Sequence, residues 1–242
     1  MDGLIIRNAD GNVQFSTNFK NYCLAAKGTT TSYTAWSSVG ISLRLFTISY
    51  TANGASRPLC GVRGGAFFGV TNVGNVYTFS FLSSSSTTSI EYFIFDEVPL
   101  TPTSNGLNIW SAAGELIYSS DFKPLKVKAV IKGSCGFNTD PWSTSPGNKA
   151  VSENFTYDSG RDYLPIITRP SFAKDYAYQG AGNYRLSTWI VSASTLNPIV
   201  GYGIGQGMTR YSAESATTTS PDAGQQRFAL SRGILVADVT HF

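Results

Sequence analysis

The sequence predicts an all-β chain made of two tandem β-sandwich modules of the immunoglobulin-like kind, each opening with the same β-hairpin. Three observations carry this prediction. First, the stretch GLIIRNADGNVQFSTNFKNYCL at 3–24 returns without a gap from Gly106 as GLNIWSAAGELIYSSDFKPLKV. The copies share Gly3/Gly106, Leu4/Leu107, Ile6/Ile109, Ala9/Ala112, Gly11/Gly114, Ser16/Ser119, Phe19/Phe122 and Lys20/Lys123, and Val13/Leu116 and Phe15/Tyr118 match in kind. Second, charged residues make up only 14% of the chain, while Gly, Ser, Thr, Tyr and Phe are abundant, a mixture that fills strands and turns rather than helices. Third, no long segment places apolar residues at i, i+3, i+4 and i+7.

The spacing of the two copies is the length of a domain, too long for a solenoid repeat. It sets a first module at 1–100, a linker at 101–105 and a larger module at 106–242, with Pro99, Pro102, Ser104 and Asn105 marking the junction. In each copy, alternating apolar residues (Leu4 and Ile6; Leu107 and Ile109) lead into a turn closed by Gly11 or Gly114. A glycine there supplies the positive φ of a tight hairpin. This hairpin is scaffold and carries no reacting group.

Within the first module, Ile41–Ile48 and Val76–Phe81 alternate as strands. The glycines of GVRGGAFFGV at 61–70 mark bulges or close packing, since neither a GK[ST] nor a helical pattern follows them. SSSSTTS at 83–89 reads as a polar hairpin loop, and Ile90–Asp96, apolar on both faces, as a central strand. Beyond the second hairpin, Leu125–Ile131 alternates, and GSCGFNTDPWSTSPGN at 133–148 is a long loop. The run from Tyr163 to Pro170 reads as an edge strand. Tyr176 and Tyr178 alternate before a Gly180–Gly182 turn, and Tyr184–Ala193 is a strand. Glycine at every second place in 201–207 lets a ring or a neighbouring chain approach one strand face. SAESATTTSPDAGQQ at 212–226 reads as a polar loop, and Phe228–Val239 as the last strand.

The chemistry-bearing residues are few. His241 is the single histidine, one place from the last residue, which leaves no Ser–His–Asp triad or Cys–His pair. The densest carboxylates, Asp140, Glu153, Asp158, Asp162 and Asp175, offer an acid–base pair for a hydrolase, but nothing singles out two of them, and solvated turn positions also explain them. Their order does not fit a calcium loop, and the solvated-turn reading is the preferred one. Cys23, Cys60 and Cys135 lack the spacing of a zinc site or a disulfide framework, so buried thiols are expected, with Cys23–Cys60 the pair to test for a bridge. The expectation is a non-enzymatic protein with no cofactor and no metal. A net charge of +3, spread without a basic run, does not signal a nucleic-acid surface. No apolar run approaches the ~20 residues of a membrane span, and Met1–Leu4 lacks the pattern of a signal peptide, so synthesis in a cytoplasm is expected. The loops of the second module, with Trp142, Tyr157 and Tyr211, are the candidate interaction residues.

The pattern G-L-x-I-x-N-x-x-G-x-x-x-F-S over 3–16, with Ile-Glu-Tyr-Phe-Ile-Phe-Asp at 90–96, resembles small minor tail or tail-tip proteins of long, flexible-tailed bacteriophages. The likeness covers most of the first module and only the opening hairpin of the second. It implies a β-sandwich virion component that docks on other tail proteins, contributes to host attachment and forms a homo-oligomer, a trimer by analogy with tail-tip symmetry. It implies no catalytic residues. Alternatives are a receptor-binding protein for a host glycan or outer-membrane protein, a capsid decoration protein and, least favoured, a depolymerase using Asp158 or Asp162.

Overall fold

The computed structural model describes residues 5–7, 13–16, 21–38, 41–54, 56–97, 106–111, 113–134, 153–169, 172–180, 183–195, 203–216 and 231–242, and every regular element among them is a β-strand. The first half contains β1 (Ile5–Arg7), β2 (Val13–Ser16), β3 (Tyr22–Thr30), β4 (Tyr33–Ser38), β5 (Ile41–Thr51), β6 (Leu59–Arg63), β7 (Ala66–Val73), β8 (Val76–Ser84) and β9 (Ile90–Glu97). The second contains β10 (Asn108–Trp110), β11 (Leu116–Ser119), β12 (Lys126–Ser134), β13 (Glu153–Thr156), β14 (Tyr163–Arg169), β15 (Phe172–Gly180), β16 (Asn183–Thr195), β17 (Gly203–Ala216) and β18 (Ser231–Asp238).

The repeated sequence folds twice into the same object. In β1–β2, Ile5 pairs with Ser16, Ile6 with Phe15 and Arg7 with Val13, with a bulge between Ile6 and Arg7. In β10–β11, Asn108 pairs with Ser119, Ile109 with Tyr118 and Trp110 with Leu116, and the bulge falls between Ile109 and Trp110. These are the same residues of the repeat throughout. Gly114 has φ 79°, and its N–H donates to the Ser111 carbonyl at 3.0 Å, so the turn glycine plays the expected role. Its counterpart Gly11 lies outside the described residues.

The likeness extends past the hairpin. Each half has a three-stranded antiparallel sheet with its last strand in the middle, β3-β9-β6 and β12-β18-β14. The bulge between Leu24 and Ala26 in the first recurs between Val127 and Ala129 in the second. The four-stranded sheets differ. In β4-β5-β8-β7 the inner neighbour of β8 is β5, which precedes it. In β13-β17-β16-β15 the inner neighbour of β16 is β17, which follows it. The hairpin and the three-stranded sheet are thus alike in the two halves, and the four-stranded sheets are not.

Alternation sorts the apolar residues onto two faces of each three-stranded sheet. Cys60, Val62, Ile90 and Ile94 pack with Phe46, Ile48, Phe67, Phe79 and Phe81 from the facing four-stranded sheet. Ile131, Tyr163, Ile167, Ile234 and Val236 join the same cluster from the second half. The opposite faces meet each other: Phe93 and Phe95 pack with Leu164, Ile166, Ala237 and Val239. Burying one such ring contributes roughly 1.5–3 kcal/mol, so this seam is a major part of the core.

Two expected loops are different in the structure. Residues 83–89 do not close a hairpin, because β8 and β9 belong to different sheets. They carry the chain across the sandwich, and buried Ser83 anchors the crossing by donating to the Gly64 carbonyl at 2.5 Å. The loop expected from Ser212 begins later. Residues 212–216 extend β17, with Ser212 paired to Thr188 and Ala216 to Tyr184. A long neighbouring strand supplies a ladder that overrides the weak strand preference of Ser, Ala and Glu.

Candidate functional site

Polar contacts cross the seam between the halves. It begins where the repeat meets itself. The Leu24 N–H donates to the Lys123 carbonyl at 2.8 Å, and the Leu125 N–H donates to the Tyr22 carbonyl at 2.8 Å, antiparallel about Cys23 and Pro124. Tyr22 and Leu125 occupy the same place in the two copies. Equivalent segments paired in this way are related by a local two-fold axis. Nearby, the Asn21 side-chain amide donates to the Ile117 carbonyl at 2.9 Å. Cys23, Leu116 and Phe122 form a small cluster of their own.

Gly61 of β6 lies against Leu164 and Ile166 of β14. At the end of this contact Arg63 bridges Glu91 (3.0 Å) and Asp162 of the second half, and Lys27 reaches the same Glu91 at 3.2 Å. Both cations lie over the Phe93 ring, at 4.8 Å for Lys27 and 5.3 Å for Arg63. Phe242 closes the far side. Its ring is 5.9 Å from that of Phe95, its carbonyl accepts from Lys27 at 3.3 Å, and Lys123 lies 5.8 Å over its face.

Asp96 is the polar centre of the first half and is fully buried. One carboxylate oxygen accepts from the Tyr50 hydroxyl (2.9 Å) and the Asn53 N–H (2.8 Å). The other accepts from the Ser56 hydroxyl and the Glu97 N–H (2.8 Å). Three of these donors, Tyr50 near the end of β5 and Asn53 and Ser56 beyond it, pin the connection from β5 to β6 to the end of β9. Burial, and then the bond to Asp96, push the Tyr50 hydroxyl well above its usual range. Asp238 holds the corresponding place of the repeat, opposite Lys126 as Asp96 is opposite Cys23. It accepts from the Thr240 N–H at 3.1 Å and from Arg161 at 3.2 Å.

The carboxylates weighed for hydrolysis are held by cations. Asp162 pairs with Arg63, and Asp158 pairs with Lys128 at 3.0 Å. Hydrogen bonding and charge from Lys128 hold the exposed Asp158 carboxyl below its usual range, which suits an ion-pair partner rather than a general acid at neutral pH. In an NMR titration Asp158 is expected to protonate at lower pH than a free aspartate, and Lys128→Ala to return it to the ordinary range. An unchanged titration would contradict the pairing. Asp140 lies outside the described residues. The backbone of Glu153 and Asp175 is described, in β13 and β15, without their side chains. No group of three His, Cys, Asp or Glu is placed to hold a metal among the described residues, and no helix among them is long and apolar enough to cross a membrane.

Trp142 lies outside the described residues. Tyr157 is half-buried against the core, its ring 5.2 Å from that of Tyr163. Tyr211 lies within β17, whose neighbours are β16 and β13, and not on a loop.

Cys23 and Cys60 are buried free thiols, not a bridge. They sit on β3 and β6 with β9 between them, Cys23 opposite Asp96 and Cys60 opposite Ile94. Two strand spacings of about 4.8 Å exceed the ~7 Å Cα limit of a disulfide. Burial, and then the Asp96 charge, raise the Cys23 thiol to about 11, and burial raises Cys60 further. Thiolate is the reactive form, so neither is expected to react with maleimide at neutral pH in the folded protein, and both to react in denaturant, as read by peptide mass spectrometry. Native-state labelling of either would contradict the burial.

Asp96 was the residue least visible in the sequence. The available signal was a carboxylate ending an otherwise apolar strand. No protein-family model, curated protein or solved structure matches the chain.

Proposed function

We propose that the chain is a non-enzymatic structural component of the tail tip or tail fibre of a long-tailed bacteriophage, acting in the virion by docking on other tail proteins. In this reading each half is a sandwich of the immunoglobulin-like kind. The observation that carries the proposal is the repeated hairpin: the sequence pattern resembling tail proteins is the element that folds twice with one register and one bulge position. Further support comes from the seam, where apolar residues of the two halves pack together and Arg63 pairs with Asp162, and from the carboxylates of Asp96 and Asp158, which are engaged in structural contacts within their own halves. A rigid scaffold with its charges committed internally suits a building block.

Mass spectrometry and electron microscopy of purified virions test this. The chain is expected in the tail fraction, with density for two β-sandwich halves at the tail end. Its absence from virions, or its presence only in tail-less heads, would overturn the proposal. Purified protein is expected to leave phage adsorption unchanged; competition for host cells would favour a receptor-binding role instead.

A further inference from the structure

An exposed strand edge normally carries a guard against pairing with another chain: a lysine, a proline or a twist away from the sheet. Most outer strands of the larger sheets here follow that rule. Lys27 lies on β3, Arg63 on β6, Lys126, Lys128 and Lys132 on β12, Pro165 and Arg169 on β14, Glu153 on β13, and Lys174 with Asp175 on β15. The two without a charge, β4 and β7, border the same sheet. β4 is guarded by a neighbour, since the Arg44 guanidinium lies 4.1 Å over the Tyr33 ring. β7, AFFGVTNV, lies near β16 of the second half, but among the described residues its outer part, 70–73, has no such guard.

The outer half of β7 is also open to solvent. Val70 is 46% exposed and Val73 84% exposed, and Thr71 and Asn72 are exposed between them. Val73 pairs with Val76 across a two-residue turn in which Gly74 has φ 62°. In such a hairpin residues 71 and 73 direct their backbone bonds to β8, so Val70 and Asn72 direct theirs outward.

We propose that β7 is a self-association edge, on which the occupant is β7 of a second copy of this chain, antiparallel and centred on Thr71. The Asn72 N–H of each copy would then donate to the Val70 carbonyl of the other, and two four-stranded sheets would become one of eight. Charge argues for a second copy over a foreign strand. An uncharged strand meets itself without like-charge repulsion, and a strand antiparallel to its own copy closes as a two-fold dimer, the commonest assembly. The Val and Thr side chains also fit a pleated cross-strand contact. This inference does not depend on the tail-component reading.

Analytical ultracentrifugation of the full chain tests it. The expected mass is twice the 26.0 kDa of one chain. Asn72→Pro removes the outward N–H without touching β8, and Val70→Lys adds a charge at an exposed position. Each is expected to weaken association about tenfold or more with thermal stability retained. Thr71→Cys should form a disulfide between copies, because directly opposed residues in a non-hydrogen-bonded pair lie within bridging distance. A chain that stays monomeric, a dimer indifferent to both substitutions, or protection of the 70–73 amides from exchange only when another tail protein is added would overturn the proposal.

Discussion

Gly61→Ala is expected to destabilise the protein by about 1–3 kcal/mol, the usual cost of forcing an extra carbon into a packed core. The new Cβ would lie 2.7 Å from Leu164 Cδ2, 2.9 Å from Ile166 Cγ1 and 3.0 Å from Leu164 Cγ. Carbon atoms attract best at about 3.5–4.0 Å, so all three contacts are repulsive. The neighbours cannot swing away, because Leu164 is 0% and Ile166 1% exposed. Relief requires β6 and β14 to part, and these strands belong to opposite halves. The effect is therefore a loosening of the seam, with the midpoint of thermal unfolding lowered by roughly 2–4 °C per kcal/mol for a chain of this size. Amide exchange should quicken in β6, β14 and the paired segments around Cys23 and Pro124 first. Gly69→Ala is the control: nothing lies within 4 Å of its Cβ, and its change should stay within about 0.5 kcal/mol. Equal melting of Gly61→Ala and the unsubstituted protein would remove the close approach as a reason for this glycine.

The same glycine shows how far the sequence could be read. Glycine within a strand pattern signals a bulge or a close approach, and GVRGGAFFGV contains both. Gly61 is the close approach, and Gly69 follows the bulge in β7. Which chain segment approaches Gly61 was not legible, because Leu164 is a hundred residues away and nothing local records it. Strands declare themselves through alternation, as β5 and β8 do, or through an unbroken β-branched and aromatic run, as β9 does. The sheet that a strand joins depends on distant partners. The connection after β8 has the composition of a hairpin turn, yet β9 joins β3 and β6. The repeat announced the hairpin twice, and it also carried a two-fold relation that became visible only when Tyr22 was found opposite Leu125. The exposed carboxylates near Asp158 drew attention by density alone, and density says nothing of the cations that fold beside them.

Asp96→Ala is expected to have the largest effect of any single change, about 3–5 kcal/mol, which is what removing one partner from a buried charged cluster costs. The carboxylate has no exposure, so its desolvation is offset only by the donors around it. Removing it strands the Tyr50 and Ser56 hydroxyls and the Asn53 N–H, each losing its partner where water is scarce. These donors lie on the segment that carries the chain from the four-stranded to the three-stranded sheet, so both sheets of the first half lose their common tie. Asp96→Asn separates charge from shape. It keeps the volume and one acceptor oxygen, but its NH₂ would point at groups that already donate, so its cost should fall between those of alanine and the native residue. Tyr50→Phe removes a single bond at a half-buried ring and should cost about 1 kcal/mol. The order Ala, then Asn, then Tyr50→Phe in denaturant midpoint is the expected result. The carboxylate would not be the tie between the sheets if Asp96→Ala and Tyr50→Phe unfolded together.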